Sequence, residues 1–241
     1  EKPLRRERAD FSEQVDRLVT TLLLMSEIKV VKRWPGFAAT SENVNGSGLR
    51  RPGGGAGCGV IGIGASTGGP PVLHTILKRL PKTAPPVLIV QHISSGFLPA
   101  FINWLQEACG VPCRIAENNE IVMPGTVYFA PDEHHLMLGV NRTVRVCTSP
   151  PENGLRPSVD VLFRSMAENC AGQGVGILLT GMGKDGAAEL KKLRARGTVT
   201  IVQSPKSCVV SGMPGEAIRL EAACKVLSPE EIGEFLAGRY G

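Results

Sequence analysis

Three residue types that together can make a nucleophile stand at the ends of three apolar runs. Ser66 lies in Ile61-Gly-Ile-Gly-Ala-Ser-Thr-Gly-Gly-Pro-Pro71, His92 follows Val87-Leu-Ile-Val-Gln91, and Asp185 sits in the turn Gly181-Met-Gly-Lys-Asp-Gly186. A serine hydroxyl near neutral pH attacks a carbonyl only when a base takes its proton. An imidazole does this best when a carboxylate fixes its tautomer and stabilises the imidazolium. Ser66, His92 and Asp185 supply those roles as nucleophile, base and orienter. Their order along the chain is no objection, because such triads are defined by geometry. The loop departs from the Gly-x-Ser-x-Gly elbow, since Ala65 precedes the serine and Thr67-Gly68 follow it.

Each signal has a plainer explanation. A glycine-rich turn between a strand and a helix is more often a nucleotide or packing loop than a nucleophile site. A lone strand-end histidine is usually structural, and an aspartate among glycines usually makes a turn. Their coincidence at three strand ends favours chemistry, because ligands of open parallel sheets bind beyond the carboxyl ends of the strands. The nucleotide reading lacks its own partners. Gly62, Gly64 and Gly68 are spaced Gly-x-Gly-x-x-x-Gly, the second strand ends Gln91-His92-Ile93 with no ribose-binding acid, and no Gly-Lys-Ser/Thr follows the loop. For a nucleophile, glycines on both sides of Ser66 let the backbone turn and a carbonyl approach. The helix starting near Pro70 aims its positive end at the same point, and backbone amides there or in the turn at 181–183 are candidate oxyanion donors.

The elements that must position these residues follow from periodicity. Strands are expected at 60–64, 87–91, 126–130, 135–140, 143–147, 174–180, 199–203 and 225–227. Helices are expected at 71–80, 98–109, from Ser158 as cap to 171, and at 187–196, 213–220 and 229–236. Strands at 135–140 and 143–147, joined across Asn141, read as a hairpin. Alternation of this kind predicts an α/β fold: a doubly wound, mostly parallel sheet with helices on both faces and an inserted antiparallel β-hairpin.

Ahead of this domain, at 58–241, the spacing of Phe11, Val15, Leu18, Leu22, Met25 and Ile28 predicts an amphipathic connector helix at 10–30 within segment 1–33, opened by Asp10-Phe-Ser-Glu13. Residues 34–57, with Asn-Gly-Ser-Gly and Pro52-Gly-Gly-Gly, read as a flexible linker. The chain opens on Glu1, the mark of a fragment or a processed product. At 241 residues, 42% hydrophobic and 20% charged, the composition suits a domain with a sizeable core plus an appendage. Neither a bilayer-crossing apolar stretch nor a signal-peptide pattern is present, so the expected location is cytoplasmic. The net charge of +5 is concentrated near the start, yet acids interleave with Arg5, Arg6, Arg8 and Arg17, and aromatics are only 5%. That argues against nucleic acid and for a partner-facing segment. The seven cysteines are scattered and mostly within apolar runs, and Cys109 with Cys113 lacks a second ligand pair, so neither a metal site, a disulfide framework nor a cofactor is expected.

Several of these motifs occur together in one family. Gly64-Ala-Ser-Thr-Gly-Gly-Pro70, Val90-Gln-His92, Ala130-Pro-Asp132 with His134-His135-Leu136, Arg156-Pro-Ser-Val-Asp-Val-Leu-Phe163, Leu179-Thr-Gly-Met-Gly-Lys-Asp-Gly-Ala187 and Ser211-Gly-Met-Pro214 resemble the protein-glutamate methylesterases of bacterial chemotaxis, across about residues 58–237. The resemblance implies a serine carboxylic-ester hydrolase acting on glutamate methyl esters of chemoreceptor signalling helices, releasing methanol and often also deamidating glutamines. It implies Ser66 as nucleophile, His92 as base and Asp185 as orienter, with the Met182 amide contributing to the oxyanion hole and Thr67 supporting the loop beside the histidine. His134 and His135 match structural positions, and Arg156 a rim position. The family's usual form carries an N-terminal receiver domain, for which residues 1–57 are too short and contain no Asp-Asp pair. The helix at 10–30 is then a connector remnant or a docking element for a regulatory partner. The alternative is a catalytically silent scaffold of the same fold.

Overall fold

A computed structural model describes residues 59–170 and 172–241; the expected helix at 10–30 and the linker at 34–57 lie outside the described residues. Seven strands form one sheet in the order β3-β4-β2-β1-β7-β8-β9, and every neighbouring pair in it is parallel. They are β1 (Ile61–Ala65), β2 (Val87–Gln91), β3 (Cys113–Ile115), β4 (Val127–Phe129), β7 (Val175–Leu178), β8 (Val199–Gln203) and β9 (Lys225–Leu227). The hairpin, β5 (His135–Leu138) with β6 (Val144–Cys147), forms a separate two-stranded antiparallel sheet. Asn141 turns it with φ 53, a left-handed conformation that asparagine tolerates better than most residues.

Buried parallel strands need cover on both faces, which is why their sequences run apolar without alternation. Alternate residues still separate by face. Ile61, Ile63 and Ala65 pack with helices α1 (Gly69–Leu77), α2 (Leu98–Cys109) and α6 (Pro229–Tyr240). Leu88, Val90 and Leu178 pack with α3 (Val159–Asn169), α4 (Ala187–Ala195), α5 (Gly212–Arg219) and the hairpin residues Leu136, Leu138 and Val144. The short edge strand β3 was not foreseen from the sequence, since of its three residues only Cys113 is buried and no apolar run marks it. The thiols divide likewise: Cys113 and Cys170 are buried, but Cys224 is exposed.

The glycines of β1 have a role that the sequence reading assigned elsewhere. A β-carbon on Gly62 would lie 2.2 Å from Met166 Sδ, and one on Gly64 would lie 2.3 Å from Val159 Cγ1. Both serve the close approach of α3 to the sheet, leaving Gly68, at φ 80, to make the turn after Ser66. The two substitutions should therefore differ. Met166 is flexible and can swing aside, whereas Val159 is β-branched and begins α3. Gly64→Ala is expected to destabilise by about 1–3 kcal/mol, and Gly62→Ala by less. Urea denaturation of the two variants checks this.

Candidate active site

Beginning at β1, the chain steps out to β2 and on to the edge strand β3, returns to β4 between β3 and β2, then crosses to β7 on the other side of β1 and continues to β8 and β9. The reversal lies between β1 and β7, where doubly wound sheets open a crevice at the carboxyl ends of their strands. Ser66 leaves β1, His92 leaves the adjacent β2, and Asp185 follows β7. Backbone bonds lock the strand ends together: Ser66 N–H donates to the Thr180 carbonyl at 3.0 Å and His92 N–H to the Ala65 carbonyl at 2.9 Å.

His92 and Asp185, 93 positions apart, meet. Nε2 of His92 lies 3.1 Å from Oδ2 of Asp185, with the two side chains 13% and 1% exposed. Nε2 has no other partner among the described residues. The imidazole thus faces the carboxylate through Nε2, which leaves Nδ1 as the nitrogen able to take a proton. Ser66 is half-buried at the same rim, and its hydroxyl makes no hydrogen bond among the described residues. The structure therefore brings His92 and Asp185 into contact and sets Ser66 beside them without closing the serine–imidazole bond. Such bonds often tighten only when substrate is present.

The carboxylate is held by a helix N-terminus. Oδ2 of Asp185 accepts the Val159 N–H at 2.7 Å, and Oδ1 accepts the Asp160 N–H at 3.1 Å and the Ser158 hydroxyl at 2.8 Å. These are the unpaired donors of the first turn of α3, aimed at a negative charge along the helix dipole. Ser158 does occupy the N-cap position, but its side chain donates to Asp185 instead of accepting from the helix. Burial pushes the Asp185 carboxyl up. The bonds from His92, Val159, Ser158 and Asp160 outweigh that and hold it below the usual carboxylate range.

Asp160 returns the arrangement. Its Oδ1 accepts the Gly186 N–H at 3.0 Å, at the start of α4, so each helix is capped by a carboxylate from the segment preceding or opening the other. Burial and the nearby charge of Asp185 push Asp160 up to about 6. Two neighbouring carboxyls are thereby driven apart, with Asp185 kept ionised. His135 is fully buried, and its Nδ1 accepts the Ser158 N–H at 3.2 Å, supporting the loop that holds Asp185.

Two amides at the rim remain available as donors. The N–H groups of Thr67 and Met182 have no acceptor among the described residues, while the Met182 side chain is 76% exposed. Gly181 sits against the serine, since a β-carbon there would lie 2.7 Å from Ser66 Cβ. A cleft next to His92 in sequence is lined by Gln91, Ile93, Ser95, Ala130, Arg156 and Pro157 together with the acidic Asp132 and Glu133. Arg156 reaches it while donating to the Thr148 and Ser149 carbonyls and to Glu133. Sequence reasoning read Ser158 only as a helix cap and gave Asp160, Thr180 and Gln91 no role of their own. Their one visible signal is a polar residue within or next to a buried run.

Comparison with known proteins adds an independent line. The family model described as CheB methylesterase matches residues 61–236. The protein-glutamate methylesterase/protein-glutamine glutaminase 4 of Geobacter metallireducens is 47% identical over 218 residues, covering 89% of this chain and 62% of that protein. The protein of the same activity name from Nitrosospira multiformis is 42% identical over 231 residues, covering 94% of this chain and 64% of the relative. The chain thus spans less than two thirds of the length of these two curated relatives. The crystal structure of the Thermotoga maritima CheB methylesterase catalytic domain superposes with a TM-score of 0.72 at 36% identity, covering 75% of this chain and 97% of that one.

Proposed function

Because the chain belongs to the CheB methylesterase family, we propose that it hydrolyses glutamate methyl esters on the cytoplasmic signalling helices of chemoreceptors, releasing methanol through a Ser66 acyl-enzyme. The observation that carries this reading is the His92–Asp185 contact at 3.1 Å beside Ser66, at the switch point of the sheet. In the first half-reaction Ser66 Oγ attacks the ester carbonyl and His92 takes its proton at Nδ1. Asp185 holds Nε2 and stabilises the imidazolium. The N–H groups of Thr67 and Met182 donate to the developing oxyanion. Collapse of the tetrahedral intermediate breaks the bond to the methoxy oxygen, which leaves as methanol with the proton from His92. In the second half-reaction water, deprotonated by His92, attacks the acyl carbonyl and frees the glutamate carboxylate and the serine. A glutamine side chain would follow the same path with ammonia as leaving group, in keeping with the glutaminase in the relatives' names.

No helix among the described residues is long and apolar enough to cross a membrane, which fits an enzyme that meets its substrate helices from the cytoplasm. Docking of a regulatory partner through segment 1–33 belongs to the same proposal. The purified chain is expected to release methanol from methylated chemoreceptor and to incorporate a fluorophosphonate probe at Ser66. Folded protein that does neither supports the silent scaffold and ends the esterase reading.

A further inference from the structure

We propose that Gln91 is a positioning residue for the acyl transfer: its side-chain amide fixes the Ser66–Thr67 peptide so that the Thr67 N–H faces the reacting carbonyl oxygen, and it grips the His92 main chain at the same time. The proposal rests on the esterase reading above. β2 is apolar and buried until its last residue, where Gln91 is only 5% exposed. Burying an amide is unfavourable unless its polar atoms are bonded. Both Nε2 protons of Gln91 are used, one on the Ser66 carbonyl at 3.0 Å and the other on the His92 carbonyl at 2.8 Å. Its Oε1 is buried without a partner. The residue is therefore placed for its donors, and both donors go to the two residues that must work together.

The geometry of the peptide bond carries the rest. A trans peptide is planar, with its C=O and N–H opposed. The Ser66 carbonyl is held by Gln91 and by the Gly69 N–H at 2.8 Å, so the Thr67 N–H is turned the opposite way, where no protein acceptor meets it among the described residues. The Thr180 hydroxyl lies 2.9 Å from the Thr67 carbonyl and 3.0 Å from that of Val210, its one proton serving either, so the peptide after Thr67 also has a donor beside it. Room for the glutamine comes from Gly69, where a β-carbon would lie 2.1 Å from Oε1. An amide preset toward the oxyanion needs no reorganisation during reaction, which is where such donors gain their effect.

The test compares wild type, Gln91→Leu and Gln91→Glu in p-nitrophenyl acetate hydrolysis, fluorophosphonate labelling of Ser66 and thermal melting. In folded Gln91→Leu, kcat and the labelling rate are expected to fall about 10- to 100-fold with KM within about twofold. A folded variant with kcat within about twofold of wild type overturns the proposal. If Gln91→Leu does not fold, Gln91→Glu decides, since a carboxyl can donate only while protonated. Its kcat relative to wild type is expected to decline as pH rises from about 5 to about 9, and a flat ratio overturns the proposal. Failure of wild type itself to label or turn over ester would instead remove the esterase reading on which the proposal stands.

Discussion

Ser66→Ala is expected to reduce methanol release from methylated receptor by on the order of 10⁵- to 10⁶-fold while leaving the melting temperature nearly unchanged. The separation of the two effects comes from the serine's surroundings. Its hydroxyl makes no hydrogen bond among the described residues, while its backbone bonds, from Ser66 N–H to Thr180 and from Gly69 N–H to the Ser66 carbonyl, survive the substitution. Removing an unbonded, half-buried hydroxyl alters stability by no more than about 0.5 kcal/mol. In the proposed reaction the same oxygen forms the acyl bond, and no second nucleophile would replace it. Residual turnover, carried by the rim amides and substrate binding alone, should still exceed the reaction in water. Parallel methanol assays and melting curves test both halves. Near wild-type turnover would remove the nucleophile from Ser66, and a large loss of stability would mean that the serine also has a structural role.

What could be read from the sequence divides along a physical line. β2, α2, β8 and β9 begin and end where apolar periodicity places them, because their boundaries coincide with changes in composition that one segment contains by itself. The convergence of Ser66, His92 and Asp185 on one rim follows from a rule about parallel sheets that needs only strand ends. What escaped depends on partners distant in sequence. Ser158 looks like an ordinary N-cap until Asp185, 27 positions away, receives its hydroxyl proton. Gly62 and Gly64 look like part of a ligand loop until α3 packs against them. Gln91 looks like the fading end of a strand until the two carbonyls it bridges come together. In each case the residue type was legible and its recipient was not, since pairing across the sheet depends on the topology.

Asp185→Asn is expected to lower turnover by about 10⁴-fold, and to do so with a pH signature that a simple loss of charge would not give. An asparagine has one accepting oxygen where Asp185 has two. Each oxygen now takes a backbone N–H of α3, Oδ2 that of Val159 and Oδ1 that of Asp160. Whichever way the amide turns, its NH₂ therefore faces a main-chain donor, at a cost of about 1–3 kcal/mol. With the NH₂ beside His92 it would also donate to Nε2, moving the imidazole proton to Nδ1 and removing the base. The pH dependence follows from the two carboxyls. Asp185 is held below the usual carboxylate range, so its contribution is present above the unfolded pKa of about 4 and is lost as pH falls through the folded value. Wild type and variant should converge in strong acid. Asp160, raised to about 6 by burial and by Asp185, acts in the other direction. Its ionisation opposes folding as pH rises from about 4 to about 6, and part of that opposition disappears when Asp185 loses its charge. The stability difference between the two proteins should then open as pH rises toward ~4, be greatest near ~4, narrow between ~4 and ~6, and stay level above ~6. Urea denaturation from about pH 3 to about pH 8 measures it. A difference that stays constant across that range would show that Asp185 is not held as an anion by the N-terminus of α3, and that the imidazole is oriented by some other group.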